Sequence, residues 1–104
     1  MSVINKLAAT IAARAEASAE SSYTAQLLSK GVEKCAKKFG EESFELALAA
    51  VSKDKTHTAQ EAADVIYHML VLLQASGVSL SEVEKILEAR ESQSGLAEKA
   101  ARRG

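Results

Sequence analysis

Proline and tryptophan are absent from this 104-residue chain, cysteine occurs once and glycine five times. With no proline, no helix is kinked or stopped by a ring that lacks an N–H. Few glycines beside no proline leave little material for β-turns. The lone Cys35 has no partner for an internal disulfide, which points to a reducing compartment and hence the cytoplasm. Neither sign of charge dominates: 13 Lys and Arg face 14 Asp and Glu, and the formal net charge is -1. That balance, with no run of like charges, argues against a nucleic-acid partner and against a membrane surface. The most apolar stretch, Ala62 to Leu73, falls short of the about 20 residues that span a bilayer. Residues 1–6 lack the basic stretch and apolar run of a signal peptide.

What the chain does have is 47% hydrophobic and 26% charged residues, an ordinary balance for a folded protein. Ala, Leu, Glu, Lys and Gln recur, and all favour helix. The length suits one domain, residues 1–104, with 91–104 as a C-terminal tail. The expected fold class is all-α, a helical bundle.

Apolar spacing predicts a first helix from Val3 to Ala17, with Ile4, Leu7, Ala8 and Ile11 on one side. Ser22 or Thr24 is placed to cap a short second helix that stops near Gly31. A long helix from Val32 to about Val51 carries Gly40 in its interior. A glycine there costs about 1 kcal/mol relative to alanine, which suggests a close approach by backbone or ligand. Ser52 to Thr58 reads as a connection. Thr58 with Glu61, and Ser79 with Glu82, fit capping boxes that open two further helices, ending near Ala75 and Glu91. Gly95 breaks the chain again, and Leu96 to Arg103 suits a last helical turn. From Val65 to Leu73 only His68 is not apolar. A helix apolar all round has to be covered on all sides, which suggests a homodimer.

The chemistry-bearing residues are Glu41, Glu42 and Glu45 on one helix and Glu61 and Asp64 on the next. Residues three and four apart share a helix face, and a short connection makes the two helices an antiparallel hairpin. Clustered carboxylates repel one another unless protonated or bound to a cation. All-oxygen donors favour magnesium or manganese over zinc, and magnesium commonly shares its sphere with substrate phosphates. Such a centre polarises a phosphoryl oxygen and activates water. Lys34, Lys38, Glu41 and Glu45 form one stripe, with Lys30 in line. Cys35, Phe39 and Leu46 flank it on one side and Phe44, Leu48 and Val51 on the other, a setting that suits a cleft with lysines at its mouth. Against this stands the bland reading that charged residues at helical spacing are a solvated face with weak ion pairs. Glu61 and Asp64 at the head of an otherwise apolar helix weigh against it. For the remaining candidates the simpler readings are preferred: His68 as a hydrogen-bonded core residue, His57 as exposed, and Cys35 as a small buried hydrophobe.

The pattern Glu41-Glu42-x-x-Glu45 followed by Glu61-x-x-Asp64 resembles the signature of the all-helical MazG-like nucleotide pyrophosphohydrolases. Ser22-Tyr23-Thr24-Ala25, Lys30-Gly31, Lys34, Lys38-Phe39-Gly40, Tyr67-His68 and the tail around Ser94-Gly95-Leu96 narrow the resemblance to the phosphoribosyl-ATP pyrophosphatase family. That resemblance implies magnesium-dependent hydrolysis of 1-(5-phosphoribosyl)-ATP to 1-(5-phosphoribosyl)-AMP and pyrophosphate by a cytoplasmic dimer. It implies Glu42, Glu45, Glu61 and Asp64 as metal ligands and Glu41 as a further ligand, base or supporting group. Lys30, Lys34 and Lys38 are then phosphate contacts, while Ser22, Tyr23 and Thr24 with Gly31 shape the substrate site. Two alternatives use the same residues differently: a pyrophosphohydrolase acting on free nucleoside triphosphates, and a non-catalytic helical dimer. A carboxylate-bridged di-iron bundle needs Glu-x-x-His motifs, and the sequence contains none.

Overall fold

Two long helices of nearly equal length dominate the computed structural model, which describes residues 2–91. In chain order the elements are α1 (Val3–Arg14), α2 (Tyr23–Ser29), α3 (Val32–Val51), α4 (Lys55–Ala75) and α5 (Leu80–Glu91). No strand occurs among the described residues, so the all-α expectation is met. The predicted turn over Leu96 to Arg103 lies outside the described residues.

α3 and α4 form the antiparallel hairpin, and α1 and α2 pack across α4. The buried cluster joins Ile11 of α1, Leu27 of α2, Cys35 of α3 and Leu70 and Val71 of α4. Cys35 donates its thiol to the Leu27 carbonyl at 3.4 Å, and burial pushes that thiol's pKa up. It is the small buried hydrophobe that its surroundings suggested.

Most helix ends follow from local chemistry. Ser22 caps α2 by accepting from the Ala25 N–H at 3.2 Å. Thr24 takes no part in the cap and pairs instead with the Tyr67 hydroxyl at 2.5 Å, tying α2 to α4. Gly31, at φ +90°, turns the chain from α2 into α3, a conformation that costs a side chain dearly. α4 ends in a Schellman motif: Gly77 has φ +73°, Gly77 N–H donates to Gln74 and Val78 N–H to Leu73. The Ser79–Glu82 capping box forms in both directions, at 3.1 and 3.2 Å.

Three expectations need correction. α1 ends at Arg14 rather than Ala17, because the next residues tighten into i→i−3 bonds such as Ala17 N–H to Arg14 at 3.0 Å. α4 starts at Lys55, three residues before the predicted cap at Thr58. Asp54 is the true N-cap, accepting from the His57 N–H at 3.0 Å. Thr58 is already inside the helix, with its hydroxyl on the Asp54 carbonyl at 2.8 Å. Finally, a Cβ built at Gly40 meets nothing within 4 Å, so no other part of the described chain makes the expected close approach.

The apolar run of α4 is covered better than expected: every residue from Val65 to Leu73 is buried or half-buried. Uncovered apolar surface lies elsewhere, at Phe44, Leu48 and Val51 of α3 and at Ile86 and Leu87 of α5. No single helix among the described residues is long and apolar enough to cross a membrane.

Candidate functional site

The hairpin register decides which acids meet. Lys53, at φ +64°, sits in the turn. Glu45 and Glu61 lie eight residues either side of it, and Glu42 and Asp64 eleven. In an antiparallel pair, such positions are carried to the same level. One carboxylate oxygen from each of Glu42, Glu45 and Glu61 falls within 4.8 Å of the others. Asp64 stands outside that group and is exposed, although its charge reaches His68. Glu41 is also exposed and faces a separate cleft.

Each acid in the group has a distinct environment. The hydrogen bond and charge of Glu42 hold the Glu45 pKa above the usual carboxylate range, helped by some loss of hydration and by the charge of Glu61, although Glu45 itself is exposed. Glu42 Oε1 is 3.5 Å from Lys38 Nζ and 3.9 Å from His68 Nε2. His68 is buried, and that burial lowers its pKa despite the nearby Glu42 carboxylate. Glu61 Oε1 meets His57 Nε2 at 3.1 Å. Glu61 Oε2 is buried and has no partner.

A buried carboxylate oxygen without a donor is costly, and two glutamates crowding a third add repulsion. A hard divalent cation answers both at once. The donor set therefore fits magnesium or manganese and offers neither thiolate nor paired imidazoles for zinc.

A cavity of about 350 Å³ opens on the acids, lined by Glu45, Leu48, Ala49, Ser52, His57 and Glu61. A cleft of about 170 Å³ at the α2–α3 junction is lined by Leu27, Lys30, Lys34, Lys37, Lys38 and Glu41. All three predicted lysines thus share one cleft. Tyr23 stacks on Tyr67 with ring centroids 6.5 Å apart. Ser22 and Thr24 serve α2 itself, as cap and as tether. Of the two expected apolar flanks of the Lys–Glu stripe, Cys35 is buried and Phe39 and Leu46 are half-buried, but Phe44, Leu48 and Val51 stay exposed.

Two residues escaped the sequence reading. His57 lies not in a connection but in the first turn of α4, four residues before Glu61 and on its face. Recognising Asp54 as the cap would have placed it there. Lys37, four residues before Glu41, lines the same cleft as Lys30, Lys34 and Lys38 while standing off their stripe.

Comparison with known proteins places this architecture. A sequence model described as phosphoribosyl-ATP pyrophosphohydrolase matches residues 4–91. A phosphoribosyl-ATP pyrophosphatase of Cereibacter sphaeroides is 57% identical over 102 residues, covering 98% of this chain and 99% of that protein. Phosphoribosyl-ATP pyrophosphatase 1 of Rhodopseudomonas palustris is 57% identical over 100 residues, 96% of this chain and 94% of its own length. The Dinoroseobacter shibae phosphoribosyl-ATP pyrophosphatase is 56% identical over 102 residues, covering 98% of this chain and 100% of the relative. With the matched segment running through all five helices and both halves of the acid pattern, the chain belongs to the phosphoribosyl-ATP pyrophosphohydrolase family.

Proposed function

We propose that this chain hydrolyses 1-(5-phosphoribosyl)-ATP to 1-(5-phosphoribosyl)-AMP and pyrophosphate, the second step of histidine biosynthesis, with magnesium. The observation that carries the reading is the Glu42–Glu45–Glu61 cluster with its unpartnered buried oxygen, in a chain of this family. When bound, magnesium supplies polarisation of a phosphoryl oxygen and a more acidic water.

The chain's own residues divide the remaining work. Glu42, Glu45 and Glu61 hold the cation, and Asp64, one turn beyond Glu61 and on the same face, is the fourth ligand. His57 fixes the Glu61 carboxylate through the 3.1 Å contact. Glu41 lines the lysine cleft rather than the acid group, which leaves it a supporting role instead of a ligand position. Lys38, already on Glu42 at 3.5 Å, offsets polyphosphate charge, and Lys30 and Lys34 bind phosphate. Ser22, Tyr23 and Thr24 bound the site through α2.

The catalytic domain is residues 1–104, working as a homodimer in the cytoplasm. Exposed Phe44, Leu48 and Val51, at 65%, 55% and 78%, form one stripe of α3 that a second copy would cover. The buried free thiol of Cys35 suits a reducing compartment.

The test is pyrophosphate release from phosphoribosyl-ATP by purified protein, with magnesium and then with excess EDTA. Fast release that EDTA stops is expected. Glu45→Gln and Asp64→Asn should lose at least about 100-fold in kcat while keeping helical circular dichroism, a loss typical of removing one strong electrostatic contact in a transition state. Full activity in both variants would sink the ligand assignment. Turnover of ordinary nucleoside triphosphates but not of phosphoribosyl-ATP would move the protein to the triphosphate-cleansing class.

A further inference from the structure

The substrate read above carries phosphate at two ends: a triphosphate on one ribose and a monophosphate ester on the other. The structure offers two sites of opposite charge along α3. At one end are the acids, which take a polyphosphate only through a cation. At the other is the lysine cleft, which contains four cations and one carboxylate. Only Lys38 among those lysines has an ion pair among the described residues, and its partner is Glu42 of the acid group. Lys30, Lys34 and Lys37 line the cleft beside the apolar Leu27, with Glu41 as its one carboxylate. Four lysines against one glutamate leave this cleft of about 170 Å³ net positive, and a small dianion complements that charge.

We infer that the Lys30–Lys34–Lys37 cleft is a separate site for the terminal monophosphate of the substrate and sets the preference for phosphoribosyl-ATP over ATP. The inference rests on the substrate proposed above. Spacing supports it: Lys34 and Glu42 are eight residues apart on one helix, about 12 Å at 1.5 Å per residue. A base carrying a ribose on each side covers a gap of that order. Lys38, between the two ends, serves the polyphosphate. Glu41 closes the cleft on the acid side, where its carboxylate can accept from ribose hydroxyls. Leu27 offers an apolar floor to the sugar carbons.

The probe is ribose 5-phosphate, titrated into the full chain without magnesium and followed by calorimetry and by amide NMR shifts. Wild-type protein and Glu45→Gln should both bind it, with shifts gathered around residues 27–38. Lys34→Gln with Lys37→Gln should weaken binding by at least about tenfold, the loss expected for removing charge-assisted bonds. Lys37→Arg, which keeps the charge, should restore most of what Lys37→Gln loses. In steady state the double variant should raise KM for phosphoribosyl-ATP more than it lowers kcat. Its selectivity, kcat/KM for phosphoribosyl-ATP over that for ATP, should fall by at least about tenfold.

No saturable binding of ribose 5-phosphate to wild type, or binding untouched by the lysine changes, overturns the inference. An equal loss on both nucleotides does so too, since the lysines would then serve the triphosphate. The proposed function fails differently: wild type would release no pyrophosphate from phosphoribosyl-ATP. A monophosphate site detected by lysine-dependent binding would survive that result.

Discussion

Glu61 carries its two oxygens in different states, one on His57 and one buried without a donor. A bound cation at the proposed site would relieve that cost. Magnesium at about 100 times its dissociation constant should stabilise the fold by roughly 2.7 kcal/mol through mass action. Glu61→Gln should lose most of that gain, which thermal unfolding with and without magnesium will measure. Glu45 adds a pH dependence. Its folded pKa lies above the unfolded value, so without metal its contribution to stability is present at low pH and is lost as pH rises through the folded pKa. With Glu45 as the proposed ligand, magnesium and that proton compete for the same carboxylate. Apparent magnesium affinity should therefore climb as pH rises through this range, and more steeply in wild type than in Glu45→Gln. Identical pH profiles for the two would exclude Glu45 from the cation's sphere. At this scale the sequence was informative about residue type and weaker about environment. Helical spacing, the apolar setting of Glu61 and Asp64 and the family pattern identify the acids, while His57 and the orphaned Glu61 oxygen depend on a helix start that spacing does not locate.

That start belongs to the scale of the element. Thr58–Glu61 and Ser79–Glu82 present the same Ser/Thr-x-x-Glu pattern, yet only the second forms a capping box. The first fails because Asp54 stands four residues earlier and caps α4 itself, while the Glu61 carboxylate turns toward His57 instead of back to Thr58. Local pattern cannot choose between two nearby caps when a tertiary cluster claims the glutamate. Asp54→Ala should cost about 1 kcal/mol of stability and also weaken magnesium binding, because the first turn of α4 holds His57 against Glu61. Ser79→Ala should cost a similar amount with no effect on magnesium, since α5 lies away from the acids. Urea midpoints paired with magnesium titrations will separate the two, and an equal effect on magnesium would break the link between the α4 cap and the site. Boundaries set by glycine were easier to read. Gly31 and Gly77 both hold positive φ where the chain has to turn, whereas Gly40 remains a glycine for which the described chain gives no reason.

At the scale of the molecule the chain looks like part of something larger. Its radius of gyration is 15.7 Å, against about 13 Å for a compact domain of about 100 residues. α5 buries none of its residues and leaves α4 at 111°, and the α3 stripe lies bare beside the acid cavity. The sequence suggested incompleteness for a different reason, the all-apolar run of α4. That run is covered by α1, α2 and α3 within one chain, and periodicity cannot tell which of several apolar faces a neighbour will leave open. Fully burying side chains such as Phe44, Leu48 and Val51 is worth about 1.5–3 kcal/mol each, which across two symmetric copies can sustain a dimer once the cost of association is met. Sedimentation at micromolar concentration should give twice the 11.0 kDa chain mass for wild type. Phe44→Glu with Val51→Glu, which places like charges opposite one another across a two-fold axis, should sediment near 11.0 kDa with its helical signal retained. A wild type that is already monomeric would leave the stripe without the partner assigned to it. A double variant that stays dimeric would move the interface to α5, where Ile86 and Leu87 are the next exposed pair.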